Sequence, residues 1–124
     1  AFPDYAASKY GGGDLKNWGI DKEMRRIRTV YGDDPKQVPF DFPELLAALA
    51  PRPVFTSAPL SDDYFDHPGV LKCQDAARPV YELFGAAGHL EIQSPEARHD
   101  FPDTQRKAAY EFLDRHLRGK SPAN

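Results

Sequence analysis

An α/β layer structure with parallel strands is what this sequence predicts, and two observations carry the expectation. From residue 41 onward the patterns alternate as helix, strand, helix, strand, helix. The two strand-like runs, Val54-Phe55-Thr56-Ser57-Ala58 and His89-Leu90-Glu91-Ile92-Gln93, are short. The first is bracketed by prolines as a buried strand is, and the second alternates as a half-buried strand does.

Residues 1–20 are rich in aromatics and glycine without clear periodicity and read as a long surface loop or short turns. Asp21 is placed to cap a helix to Tyr31, with Met24, Ile27 and Tyr31 on one face, Arg25, Arg26 and Arg28 in water, and Gly32 as the stop. Gly32 to Pro39 is a turn-rich linker. Asp41 with Glu44 three residues later is a capping arrangement for a short helix through Leu49, ended by Pro51 and Pro53. After the first strand, a polar loop from Leu60 to His67 leads to a helix from about Gly69 to Phe84, with Val70, Cys73, Ala77, Val80, Tyr81 and Phe84 as its apolar stripe. Pro79 is expected to kink or divide that helix. His89 is expected to begin the second strand. A loop from Ser94 to Pro102 carries His99. Asp103 is placed to cap a last helix to about Leu117, with Ala109, Phe112, Leu113 and Leu117 inward, and residues 119–124 form a frayed tail.

Composition bounds the function. At 124 residues the chain is one domain or part of one. A net charge of −3 argues against nucleic acid as the main partner, because neutralising phosphate needs a basic face. No apolar run reaches the length of a transmembrane helix, so no membrane partner is expected. One cysteine rules out an internal disulfide framework and a multi-cysteine metal site, and the four histidines show no metal-ligand spacing. No cofactor or metal is expected. The compartment stays open.

Ligand chemistry in parallel sheets gathers in loops at the carboxyl ends of strands. Asp62 and Asp63 follow the first strand, and His99 and Asp100 follow the second. An acid and an imidazole at adjacent strand ends is the layout an acid–histidine pair requires, since the carboxylate fixes the tautomer and stabilises the charged ring. One of Asp62 and Asp63 is then expected to bond the loop backbone, and Asp100 to cap its loop.

The segment PFDFPELLAALAPRPVFTSAPLSDDYFD, followed by YELFGA and RHDFPDTQRKAAYEFLDRHL, resembles the C-terminal third of an α/β-hydrolase, most closely the acetyl xylan esterases and dienelactone-hydrolase-like esterases. The resemblance spans nearly all of residues 38–118. It implies that Asp62 is the triad acid and His99 the triad base, with Asp63 the competitor for the acid role. The family's nucleophile occupies a G-x-S-x-G elbow, earlier in the chain than acid and base. None of Ser8, Ser57, Ser61, Ser94 and Ser121 has glycine at both −2 and +2. The chain is therefore expected to be a C-terminal fragment of a carboxylic (acetyl) ester hydrolase, inactive alone, whose complete form takes a small-molecule ester. The competing reading is a non-catalytic interaction or scaffold module built from the same fold.

Other features have plainer readings. His67 and His116 are expected to be structural or solvent-facing, with a charged His116 suiting the end of its helix. Gly11–Gly13 is a flexible turn, since no strand precedes it and no Gly-Lys-Ser/Thr follows. Cys73 is core. Trp18 and Tyr10 either line an acyl or sugar pocket or cover the core. Two strands alone leave sheet edges and apolar faces open, particularly at Val54, Phe55, Leu90 and Ile92. Association is expected, as a homo-oligomer or with a complementing N-terminal half.

Overall fold

The computed structural model describes residues 2–7 and 11–117. The frayed tail expected at 119–124, and Tyr10, lie outside them. The first element corrects the expected loop: Phe2–Ala7 is a helix, α1. Its residues lack sequence periodicity, and their burial comes from distant partners. Phe2, Tyr5 and Ala6 pack with Leu15, Ile27 and Val38, flanked by Trp18, Tyr31 and Phe42. A side chain at Gly11 would collide with the Tyr5 carbonyl, which is why the glycine turn follows here.

Helix α2 (Arg25–Tyr31) begins three residues later than a cap at Asp21 would allow. Residues before it are spent on a turn in which Met24 N–H reaches the Trp18 carbonyl at 3.0 Å, carrying Trp18 into the aromatic cluster. Gly32 closes the helix at φ 61° as its sequence position predicts. Arg25 and Arg26 are exposed, but Arg28 is not merely solvated. Its Nε donates to Asp33 at 3.2 Å and its Nη2 to the Lys16 carbonyl at 3.2 Å.

Helix α3 (Phe42–Ala47) carries the expected capping box. Asp41 N–H donates to Glu44 at 2.9 Å, and Asp41 Oδ1 accepts from Phe42 N–H at 2.7 Å. The same oxygen accepts from Phe2 N–H at 2.8 Å, so one carboxylate fastens α1 to α3.

Strands β1 (Val54–Ser57) and β2 (Leu90–Gln93) pair in parallel, Val54 opposite Leu90 and Ser57 opposite Gln93. Between them runs α4 (His67–Leu83), which opens two residues ahead of Gly69 because Asp66 accepts from Gly69 N–H at 2.9 Å. Pro79 does not divide it. Pro79 and Asp75, whose carbonyl the missing N–H would have met, are both exposed, so water can satisfy that carbonyl. Cys73, Ala77 and Tyr81 are buried as expected, whereas Phe84 falls at the cap and is exposed. Tyr81 Oη donates to the Arg52 carbonyl at 3.1 Å, which lets a phenol sit in the core. His89 ends a short 3-10 turn, Ala87–His89, instead of starting the strand.

Helix α5 (Asp103–Leu117) begins at Asp103 itself, whose side chain pairs with Arg106 at 2.6 Å instead of capping. The result is three layers. Val54 and Leu90 join Ala77, Tyr81 and Leu46 on the α3/α4 side, and Phe55 meets Phe112 of α5 on the other, ring centroids 5.6 Å apart. Helices on both faces cover the strands: Leu90 is buried and Val54, Phe55 and Ile92 are half-buried, so the exposed apolar surface lies elsewhere than expected. It is spread over loops and helices, and its most exposed members are helical leucines. Leu113 and Leu117, read as inward, are 46% and 78% exposed, and Leu83 is 84% exposed. A sheet two strands wide gives α5 room to bury little beyond Gln105 and Phe112.

Candidate functional site

The parallel pairing of β1 and β2 continues past the strands. Ala58 N–H donates to the Gln93 carbonyl at 2.8 Å, Leu60 N–H to Pro95 at 3.0 Å and Ser61 N–H to Ala97 at 3.1 Å. The two loops that carry the candidate acid and base are thus laid side by side by their backbones. Asp62 and His99, 37 residues apart in sequence, meet at their ends.

His99 Nδ1 lies 3.2 Å from Asp62 Oδ1 and 3.1 Å from Oδ2. Asp62 Oδ1 also accepts from the N–H groups of Tyr64 at 2.7 Å and Phe65 at 3.0 Å, a tight Asx turn. The carboxylate that bonds the loop backbone is therefore the one that faces His99; a single side chain does both jobs. Burial opposes ionisation of Asp62, but the two backbone donors and His99 outweigh it and hold its pKa below the ordinary aspartate value. The side chain of Asp62 is 7% exposed and that of His99 51%. Acid beneath and base open to solvent is a layered arrangement. His99 Nε2 has no hydrogen-bond partner among the described residues.

Asp63 pairs with Arg98 and not with His99. It receives Arg98 Nε at 2.8 Å and Arg98 Nη2 in a tighter contact. Asp100 accepts from Phe101 N–H at 2.8 Å, the expected loop role. The rings of Tyr64 and Phe65 stand 4.7 Å and 5.7 Å from His99, centroid to centroid. Sequence reading missed these two rings and Arg98. The signal was there: an Asp-Asp pair opposite an Arg-His pair, on loops whose strands are in register.

A cleft of about 470 Å³ opens here, lined by Asp62, His99, Asp100, Phe101 and Ser57 among others. Ser57 Oγ is fully buried without a partner, so it is not available to attack a bound ester. Ser94 Oγ lies 2.9 Å from His67 Nε2, but among the described residues no carboxylate meets the other ring nitrogen, and the contact ties the start of α4 to the loop after β2. Ser8 and Ser121 lie outside the described residues. Phe65 also walls a second, apolar cavity of about 350 Å³ with Tyr5, Trp18 and Phe42, so Trp18 both covers the core and borders a pocket.

The remaining histidines sit apart from the cleft. His89 Nδ1 is 2.7 Å from the Pro51 carbonyl. His116 packs against Phe112 at 4.5 Å and His89 at 4.8 Å. Burial first, then the neighbouring His89 and Arg115, push the His116 pKa down, so its charged form is disfavoured despite the helix end. Cys73 is a buried thiol on α4. No group of three or more metal-ligating side chains occurs among the described residues.

The chain matches no family model. It is 33% identical over 89 residues to 4-O-methyl-glucuronoyl methylesterase 1 of Wolfiporia cocos (strain MD-104), an alignment covering 70% of this chain and 22% of that protein. It is 26% identical over 135 aligned positions to carbohydrate esterase MZ0003 of an unknown prokaryotic organism, covering 88% of this chain and 31% of that protein. Its distant relatives are esterases. The chain spans between about a fifth and a third of the length of the curated relatives it matches.

Proposed function

We propose that this chain carries the acid and base of a serine carboxylic ester hydrolase of α/β-hydrolase type, with the nucleophile and oxyanion hole supplied by residues outside these 124. The observation that carries the reading is the layered contact of Asp62 with His99, a buried carboxylate on Nδ1 with Nε2 left open. The similarity to a glucuronoyl methylesterase and a carbohydrate esterase supports a carbohydrate ester as substrate, an acyl group of the sugar-acid kind in particular.

The chemistry follows from the two nitrogens. His99 Nε2 takes the proton of an incoming serine hydroxyl as that oxygen attacks the ester carbonyl. The C–O bond to the alcohol breaks as His99 returns the proton to the leaving oxygen, giving an acyl-enzyme and free alcohol. Water, deprotonated by the same nitrogen, then attacks the acyl carbonyl; the bond to the serine oxygen breaks as His99 returns the proton to it, releasing the acid and restoring the serine. Asp62 holds Nδ1–H and stabilises the imidazolium at each step without taking the proton. Residues 1–124 alone lack a G-x-S-x-G serine, and the missing oxyanion donors are each worth about 3–4 kcal/mol of barrier.

The open outer edge of β1, which pairs only with β2 among the described residues, and the exposed Leu113 and Leu117 suit a complementing chain segment or a second copy. The deciding experiment joins residues 1–124 to a strand–elbow–helix segment bearing G-x-S-x-G and assays the methyl ester of 4-O-methylglucuronate. The joined protein hydrolyses it and His99→Ala lowers kcat by at least about 10³-fold. Full activity in His99→Ala, or a p-nitrophenyl acetate burst from residues 1–124 alone, overturns the reading.

A further inference from the structure

Two adjacent carboxylates, Asp62 and Asp63, face two adjacent basic side chains, Arg98 and His99, across the paired loops. Only one of the two possible pairings puts the imidazole on the buried acid. His99 touches Asp62 at 3.1 to 3.2 Å, the long end of the hydrogen-bond range, and Asp62 already shares its charge with the Tyr64 and Phe65 N–H groups. Asp63, with a side chain 39% exposed, makes no such Asx turn. On electrostatics alone, a free Asp63 is a strong competitor for the ring. What holds it is Arg98, which places Nε and Nη2 on the single oxygen Oδ2.

We propose that Arg98 is a positioning residue: by engaging Asp63 it assigns His99 to Asp62. The inference concerns the same acid–imidazole pair on which the proposed function rests. Its support is independent of any ester chemistry. The Arg98 side chain is 79% exposed, so its ion pair contributes little to the stability of the fold. Its consequence is one of direction. The charged and titratable groups around the ring are Asp62, Asp63, Arg98, Asp100 and the Tyr64 hydroxyl. Among them the Arg98 cation and the Asp63 anion cancel at short range and Asp100 holds the Phe101 N–H, leaving Asp62 as the anion within hydrogen-bond reach of Nδ1, where it selects the Nδ1–H tautomer. Removing Arg98 therefore does two things at once: it frees the competing acid and uncovers its charge.

The test is a cycle of four forms of the full chain: unsubstituted, Arg98→Gln, Asp63→Asn and the double variant, with His99 ring ¹⁵N signals as the readout. The unsubstituted chain shows one dominant Nδ1–H state. Arg98→Gln raises a second ring state by about two- to fivefold, the scale set by one exposed ion pair. Asp63→Asn in that background removes the competitor and restores the first state, and Arg98→Lys, which keeps the charge, gives an intermediate. A merely structural Arg98 leaves the double variant as disturbed as Arg98→Gln, and that outcome overturns the proposal. Unchanged ring signals in Arg98→Gln overturn it too. Neither result bears on hydrolysis, so failure of the esterase reading is recognised separately, by absence of turnover in the joined protein with normal ring signals.

Discussion

Ser61 donates its backbone N–H to the carbonyl of Ala97 at 3.1 Å, although each lies four residues beyond the end of its strand. With Leu60 on Pro95 and Ala58 on Gln93, this bond extends the parallel ladder into the loops. The meeting of Asp62 with His99 is thus a backbone result before it is a side-chain one. Strand register delivers both groups to one rim, and their contact completes a geometry already set.

Asp62 holds its loop through two backbone N–H groups, so substitutions there separate stability from chemistry. Asp62→Ala gives both donors over to water and lowers unfolding stability by about 0.5–1.5 kcal/mol, whereas Asp62→Asn keeps an acceptor and loses less. Its pKa is lower in the folded chain than the roughly 3.9 of a free side chain. The contribution of the ionised carboxylate is therefore present above about pH 4 and lost as pH falls through the folded value. Urea titrations at pH 3 to 7 show a shallower acid limb in Asp62→Asn than in the unsubstituted chain.

His116 gives the opposite residue type with the same sign. Its folded pKa lies below the free histidine value of about 6.5, so the unfolded chain binds the proton more readily. Stability is full above about pH 6.5 and falls as the solution is acidified through that value. Thermal midpoints between pH 7.5 and 5 decline in the unsubstituted chain, and the slope flattens in His116→Gln.

Asp41 caps α3 and also holds the first residue of α1 through Phe2 N–H. Asp41→Ala costs about 1–2 kcal/mol from the cap, with a further loss where Phe2 is released. Glu44→Ala removes only the reciprocal bond to Asp41 N–H and costs less. Chemical denaturation followed by Trp18 emission ranks the two.

The outer edge of β1, unpaired among the described residues, and the leucines of α5 predict association of the isolated chain. Sedimentation velocity at micromolar concentration shows species larger than 13.9 kDa, and Leu113→Lys with Leu117→Lys shifts the population toward monomer. A chain that stays monomeric at every concentration contradicts the expectation.

Much of this was legible beforehand where the cause is local. Asp41 and Glu44 announce a capping box, Gly32 announces a helix end, and alternating helix and strand patterns place Asp62 and His99 on neighbouring loops. What sequence patterns miss depends on distant partners. Phe2, Tyr5 and Ala6 become a buried helical face only because Leu15, Ile27 and Val38 come to meet them. Leu113 and Leu117 have the spacing of a core stripe, yet the sheet beneath them is too narrow to receive them. Arg98 looks like any surface cation until the loop register sets it opposite Asp63.

Trp18 is the only indole in the chain. It stands edge-on to Phe65 at 6.1 Å, and Phe65 in turn flanks His99 at 5.7 Å. Its fluorescence therefore comes from one address, a ring removed from the imidazole by a single neighbour. Tyr5, 4.9 Å from it, feeds excitation to the same place. Colour, lifetime and quenching of that light give an unlabelled optical record of whatever enters or leaves the space behind Phe65.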